Sequence, residues 1–209
     1  WLANELGTEA ALTFNLSVSL RLRGGLDLDA LADALQLLVD RHDALRASFG
    51  PDGDTLCIRK TLRMELPTTD LSALPPEERA KALDARLRSS VETPFRIESD
   101  PLFRAELIRL AGEEHVLLLT AHHIICDGWS WGVIVQELGQ LYGQRRGVAG
   151  ALGKALPPVE RFTDFALAEV EHLQSPEHAA DEAFWLSRFA DDIPVLELPT
   201  DRPRPAFRS

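Results

Sequence analysis

A layered α/β (α+β) fold, with helices packed on a mixed or antiparallel sheet, is what this sequence predicts. Three observations carry that prediction. Residues 12–22 alternate strictly between apolar and polar, as in a strand with one buried face. The run VLLLTA at 116–121 is almost wholly apolar, as in a strand buried on both faces. Between such segments, apolar residues recur at helical steps, and helices and strands mix without regular alternation.

In chain order, Leu12, Phe14, Leu16, Val18, Leu20 and Leu22 share one parity of the first strand, which Gly24-Gly25 ends. A helix follows with Asp27 or Asp29 as its N-cap and Leu28, Leu31, Leu35, Leu38 and His42 along one side. Residues 44–49 read as a strand. The turn Gly50-Pro51-Asp52-Gly53 returns the chain to a hairpin partner at 56–60. Pro75-Pro76-Glu77-Glu78 suits a helical first turn, with Leu83, Leu87 and Val91 directed at the core and Pro94 past the end. Residues 102–110 and 115–121 form two strands around a polar turn, and a third helix starts near Gly128 with Trp131, Ile134, Leu138, Leu141 and Tyr142 as its inner stripe. Residues 145–158, rich in Gly, Ala and Pro, read as a surface loop. Helices near 161–173 and 177–190 are separated by Ser175-Pro176, and residues 194–209 form an extended, proline-broken tail.

Composition narrows the function classes. With 22 basic and 33 acidic residues the formal charge is −11. That argues against a nucleic-acid binder and against an anionic membrane surface as the main partner, since both are gripped through Lys and Arg. Cys57 and Cys126 stand far apart in no ligand-like spacing. No basic, apolar leader opens the chain and no spanning stretch exists, so a cytoplasmic setting is expected.

The segment that could carry chemistry is AHHIICDGWSW at 121–131. Two histidines leave the end of a buried strand, and Asp127-Gly128 precedes a helix whose first N–H groups can meet developing negative charge. Glycine at 128 leaves room beside the turn. A neutral imidazole accepts a proton from an attacking amine or hydroxyl. The spacing alone reaches no further than an acid/base histidine, with a structural histidine or a His-x-x-x-Asp metal pair lacking a third ligand as open alternatives. No nucleophile elbow, phosphate loop or dinucleotide fingerprint is present.

HHIICDGWS resembles the HHxxxDG motif of the condensation domains of nonribosomal peptide synthetases. Three further segments resemble that family in order: RHDALRASF at 41–49, RFTDFALAE at 161–169, and AFWLSRF followed by LELPTDRPRP at 183–205. Departures are Cys126 for the usual Ser, Phe162 for Tyr and Ala168 for Trp; only Trp1-Leu2 remains of the opening motif.

The resemblance implies the N-terminal lobe of a chloramphenicol acetyltransferase-like fold over residues 1–209. The second lobe has no counterpart, so the chain by itself is expected to be inactive. It implies an acyltransferase that joins a carrier-bound acyl thioester to a carrier-bound aminoacyl amine, with upstream and downstream carrier proteins as partners. The phosphopantetheine arm arrives on those carriers, and no cofactor or metal is bound directly. By the motif, His123 is the catalytic imidazole, as base or as amine holder, and the Gly128 N–H faces the oxyanion. His122 holds the loop, Asp127 pairs with an arginine (Arg46 favoured over Arg41), and Trp129 lines the channel. His115, His172 and His178 are expected in solvent. An epimerisation domain and a non-catalytic recruitment domain of the same fold are the alternatives; aspartates in place of the histidines would mark a heterocyclisation domain.

Overall fold

The computed structural model describes residues 1, 6–151, 153, 155–191, 199 and 201–202, in two compact units that divide after Asp164. The first unit begins with a short helix, α1 (Thr8–Leu12), and strand β1 (Asn15–Arg23). Helix α2 (Leu28–Arg41) leads through a 3-10 turn (Asp43–Arg46) into the hairpin β2 (Ala47–Phe49) and β3 (Leu56–Ile58). Strand β4 (Thr68–Asp70), helix α3 (Pro76–Glu92), strands β5 (Phe103–Ala111) and β6 (Glu114–His122), and helix α4 (Gly128–Arg145) follow.

The main sheet has the order β1-β6-β5-β4. β6 pairs antiparallel with β1 and β5, and β4 pairs parallel with β5, so the sheet is mixed. Helices cover both faces. Leu31, Leu35 and Leu38 of α2 and Ile134, Leu138 and Leu141 of α4 pack with Phe103, Leu107, Leu117 and Leu119 of the sheet. On the other face Ile108, Leu110, Val116 and Leu118 meet Leu83 and Leu87 of α3. β6 is central, and every residue in it after Glu114 is buried. This is the physical content of the VLLLTA run: alternate residues enter opposite cores, and both are apolar.

Asp27 is the N-cap of α2 and accepts the Ala30 N–H. Several expectations give way. β1 starts at Asn15, because Leu12 belongs to α1 and Thr13-Phe14 to the turn after it. Residues 43–46 form a 3-10 turn, which Arg46 fastens by donating to the carbonyls of Val39 and Lys60. Leu28, at the first position of α2, is exposed. Leu83 and Leu87 lie half-buried, since α3 spans only one face of the sheet at its edge. His115 is buried, because its strand is covered on both sides. α4 runs on through Arg145, and its C-cap Arg146 pairs with Asp27. The short strand β4 has no apolar pattern and was not predicted.

A groove of about 560 Å³ runs beside β1, lined by Leu20, Leu22, Leu26, Leu31, Leu138 and Tyr142 among others; no residue of the histidine motif borders it. Helix α5 (Phe162–Leu173) begins at the end of the first unit and continues into the second, which also holds α6 (Pro176–Arg188), capped by Ser175. The extended tail expected at 194–209 lies outside the described residues apart from 199, 201 and 202. No helix among the described residues is long and apolar enough to cross a membrane.

Candidate active site

The histidine motif occupies the end of β6 and the turn into α4. The strand ladder ends in two hydrogen bonds: the His122 N–H donates to the Leu102 carbonyl (3.0 Å) and the His123 N–H to the Phe14 carbonyl (2.8 Å). The two imidazoles then part. His122 is 3% exposed, with its ring against Phe14 (centroids 6.2 Å, stacked) and edge-on to Phe95 (6.2 Å). His123 is exposed, with its ring edge-on to Phe14 at 6.4 Å. Consecutive residues at a strand end point to opposite sides, which gives one histidine to the interior and one to solvent.

His122 Nδ1 accepts the Ile124 N–H at 3.1 Å, and the Ile125 N–H closes on the His122 carbonyl at 3.1 Å. An accepting Nδ1 leaves the ring proton on Nε2. Burial pushes the His122 pKa down to about 4, so the ring is neutral at pH 7. This titration destabilises the fold in acid. The unfolded histidine binds a proton near pH 6.5 and the folded one only near 4, so its contribution is complete above 6.5 and is lost as pH falls to about 4. The loss is expected to total about 3 kcal/mol across that window. Urea unfolding at pH 7, 5.5 and 4 measures it, and His122→Phe should flatten the profile by the same amount. An unchanged profile in that variant would assign the acid sensitivity to other groups.

Asp127 begins α4 as the N-cap. Its Oδ1 accepts the Ser130 N–H (2.8 Å) and hydroxyl (2.7 Å), while the Asp127 N–H donates to Ser130 Oγ (3.2 Å). These bonds close a reciprocal capping box and hold the carboxyl below the usual range. Among the described residues, the expected pairing of Asp127 with an arginine is not made. Arg46 is spent on the carbonyls of residues 39, 40, 59 and 60, and Arg41 donates to Glu137 from Nε (2.9 Å) and Nη2 (3.3 Å). Both arginines are held by nearer acceptors, and Ser130 supplies what Asp127 needs.

Glu137 is the charged group that sequence reasoning missed. It is 6% exposed on the inner side of α4 and also contacts His42 Nε2 at 2.6 Å. Burial would raise its pKa, but the bonds from Arg41 and His42 outweigh burial and lower it. The legible signal was a carboxylate inside an apolar stripe, between Ile134 and Leu141.

Cys126 is buried, which pushes its thiol up to about 11 and leaves it protonated at pH 7. The N–H of Gly128 has no acceptor among the described residues. A Cβ built on Gly128 meets no atom within 4 Å, and no positive φ is required there. Packing inside this chain does not demand glycine at that point. Trp129 stands 85% exposed on the first turn of α4. Among the described residues no group of three or more His, Cys, Asp or Glu is placed to hold a metal ion.

His123, the Gly128 N–H and Trp129 are therefore carried on one short exposed turn at the end of a buried strand. The sequence profile of the condensation domain matches residues 1–209. The chain belongs to the condensation-domain family. Proteins similar to it include bacitracin synthase 3 of Bacillus licheniformis, 36% identical over 201 residues, which are 95% of this chain and 3% of that protein. A variant of the starter condensation domain of the rhizomide synthetase RzmA superposes with a TM-score of 0.80 at 25% identity, covering 95% of this chain and 47% of that one. A chain in the complex of the X-domain and OxyB from teicoplanin biosynthesis gives 0.73 at 34% identity, covering 92% and 42%. The chain thus spans less than half the length of these two solved chains, and its acetyltransferase-like architecture is that of the condensation-domain structures.

Proposed function

We propose that this chain supplies the histidine-bearing wall of a site that forms an amide bond between two carrier-bound substrates in nonribosomal, or mixed polyketide–peptide, synthesis. The observation that carries the reading is the opposite placement of the two histidines: His122 is buried and tied to the loop, and His123 is exposed beside the α4 N-terminus.

The amine nitrogen of the downstream aminoacyl group attacks the carbonyl carbon of the upstream thioester. The new C–N bond forms as the C–S bond breaks, the upstream phosphopantetheine leaves as a thiol, and the amine gives up one proton. His123 accepts that proton or holds the amine for attack. The Gly128 N–H, at the positive end of α4, faces the oxygen that gains charge. Gly128 leaves space for the thioester, and Trp129 lines its approach. The carriers bring the pantetheine arms, so the chain itself binds no cofactor, and a cytoplasmic setting belongs to the same reading.

The test supplies the full-length protein that carries this chain with a loaded donor carrier and a loaded acceptor carrier. A dipeptidyl thioester on the downstream carrier is expected. Exchange of an α-proton on one carrier-bound residue would replace this reading with epimerisation. Tight binding of a partner with neither reaction would replace it with recruitment.

A further inference from the structure

Two buried polar atoms near the histidine turn have no hydrogen-bond partner among the described residues: His122 Nε2 and Asn15 Oδ1. They belong to residues directly opposite each other in the β1–β6 register. Side chains so paired stand on the same face of the sheet, with Cβ atoms about 5 Å apart. Asn15 is 9% exposed and His122 3%, so bulk water does not serve either atom. Their chemistry is complementary. Asn15 Nδ2 donates to the carbonyls of Val91 (2.8 Å) and Thr93 (3.0 Å) at the end of α3, which fixes the carboxamide with its oxygen as the remaining group. His122 Nδ1 accepts from Ile124, which makes Nε2 the ring donor.

We propose that Asn15 is a positioning residue for the reaction: its carboxamide oxygen is joined to the His122 Nε2–H through one bridging water, and so sets the turn that presents His123. The inference rests on His123 as the reacting imidazole. Holding the ring proton on Nε2 keeps Nδ1 open to the Ile124 N–H. A ring protonated on Nδ1 would set two donors against each other and release residues 122–124. Phe14 acts beside Asn15, since its carbonyl takes the His123 N–H and its ring lies against both imidazoles. The Phe14-Asn15 pair thereby links the end of α3 to the turn that carries the chemistry.

The test uses the full-length protein with loaded carriers and 15N-labelled histidine. In the unaltered protein, His122 is expected as the neutral Nε2–H tautomer with that proton shielded from exchange. Asn15→Ala is expected to lower kcat ten- to a hundredfold, the order that follows from a small misplacement of a reacting group, with KM for both carriers unchanged. In the same variant the Nε2 proton should exchange freely. Added to His122→Ala, Asn15→Ala should cost nothing more, because both act through one ring. An Nδ1–H tautomer in the unaltered protein, an unchanged kcat, or losses that multiply in the double variant would each overturn the proposal. The ring signals are read without turnover. They therefore stand or fall separately from the assignment of amide formation, even if a variant does not fold.

Discussion

Replacing His123 with alanine in the full-length protein is expected to slow dipeptidyl thioester formation by about 10²–10⁴-fold, the range for a positioned acid–base group. The fold should change little. The imidazole is exposed, so its removal opens no cavity in the core. The one strand-ending bond at that residue uses the main-chain N–H and the Phe14 carbonyl, which alanine keeps. A stability change within about 0.5 kcal/mol is therefore expected. Single-turnover kinetics with both carriers loaded, beside urea unfolding of the same sample, separates the two effects. Turnover at the unaltered rate would remove His123 from the chemistry. A large loss of stability would show that the ring holds the fold together.

Glu137→Ala is expected to do the reverse, costing about 3–5 kcal/mol of stability, as for removal of one member of a buried charged pair. Glu137 lies where α2 and α4 pack together. Arg41 and His42, at the junction of α2 with the following turn, both donate to it, and Arg41 also donates to the Pro157 carbonyl. Alanine leaves the Arg41 guanidinium in a half-closed site without its counter-charge. Replacing Glu137 with leucine and Arg41 with methionine together should cost less than Glu137→Ala alone, because no charge is then stranded. Urea unfolding at pH 7 of both variants provides the comparison, and a larger loss in the double variant would mean that the charges bind the helices more strongly than apolar packing can. Because the folded carboxyl titrates below its ordinary range, its contribution is present at neutral pH and fades as pH falls through the folded value.

Much of the fold was readable because its main signals are local or periodic. Asp27 and Asp29 both marked the start of α2, where Asp27 proves to be the cap, and the continuous apolar run announced β6. The 3-10 turn at 43–46 was hidden because Leu45, Ala47 and Phe49 alternate with Arg46 and Ser48 as in a strand that runs on through it; Arg46, donating to four carbonyls, holds the tighter turn. β4 was hidden because Thr68, Thr69 and Asp70 carry no apolar rhythm, and only pairing with β5 makes them a strand. At the site, the pattern named His123 and Gly128, but not what holds them. The arginine expected beside Asp127 gave way to Ser130, three residues on, where the capping rule predicts a partner. Asn15 stayed out of view because it shares the parity of Ser17 and Ser19, which reads as solvent-facing until α3 covers that side.

β6 is enclosed on both faces from His115 to His122. The turn at its end is mounted on the least yielding part of the molecule, and shifting it by even a fraction of an ångström would mean repacking two cores. On the proposed function, a centre mounted this way behaves as an anvil: whatever reacts there is brought to it, and the travel needed for turnover falls to the tethers of the proposed carriers.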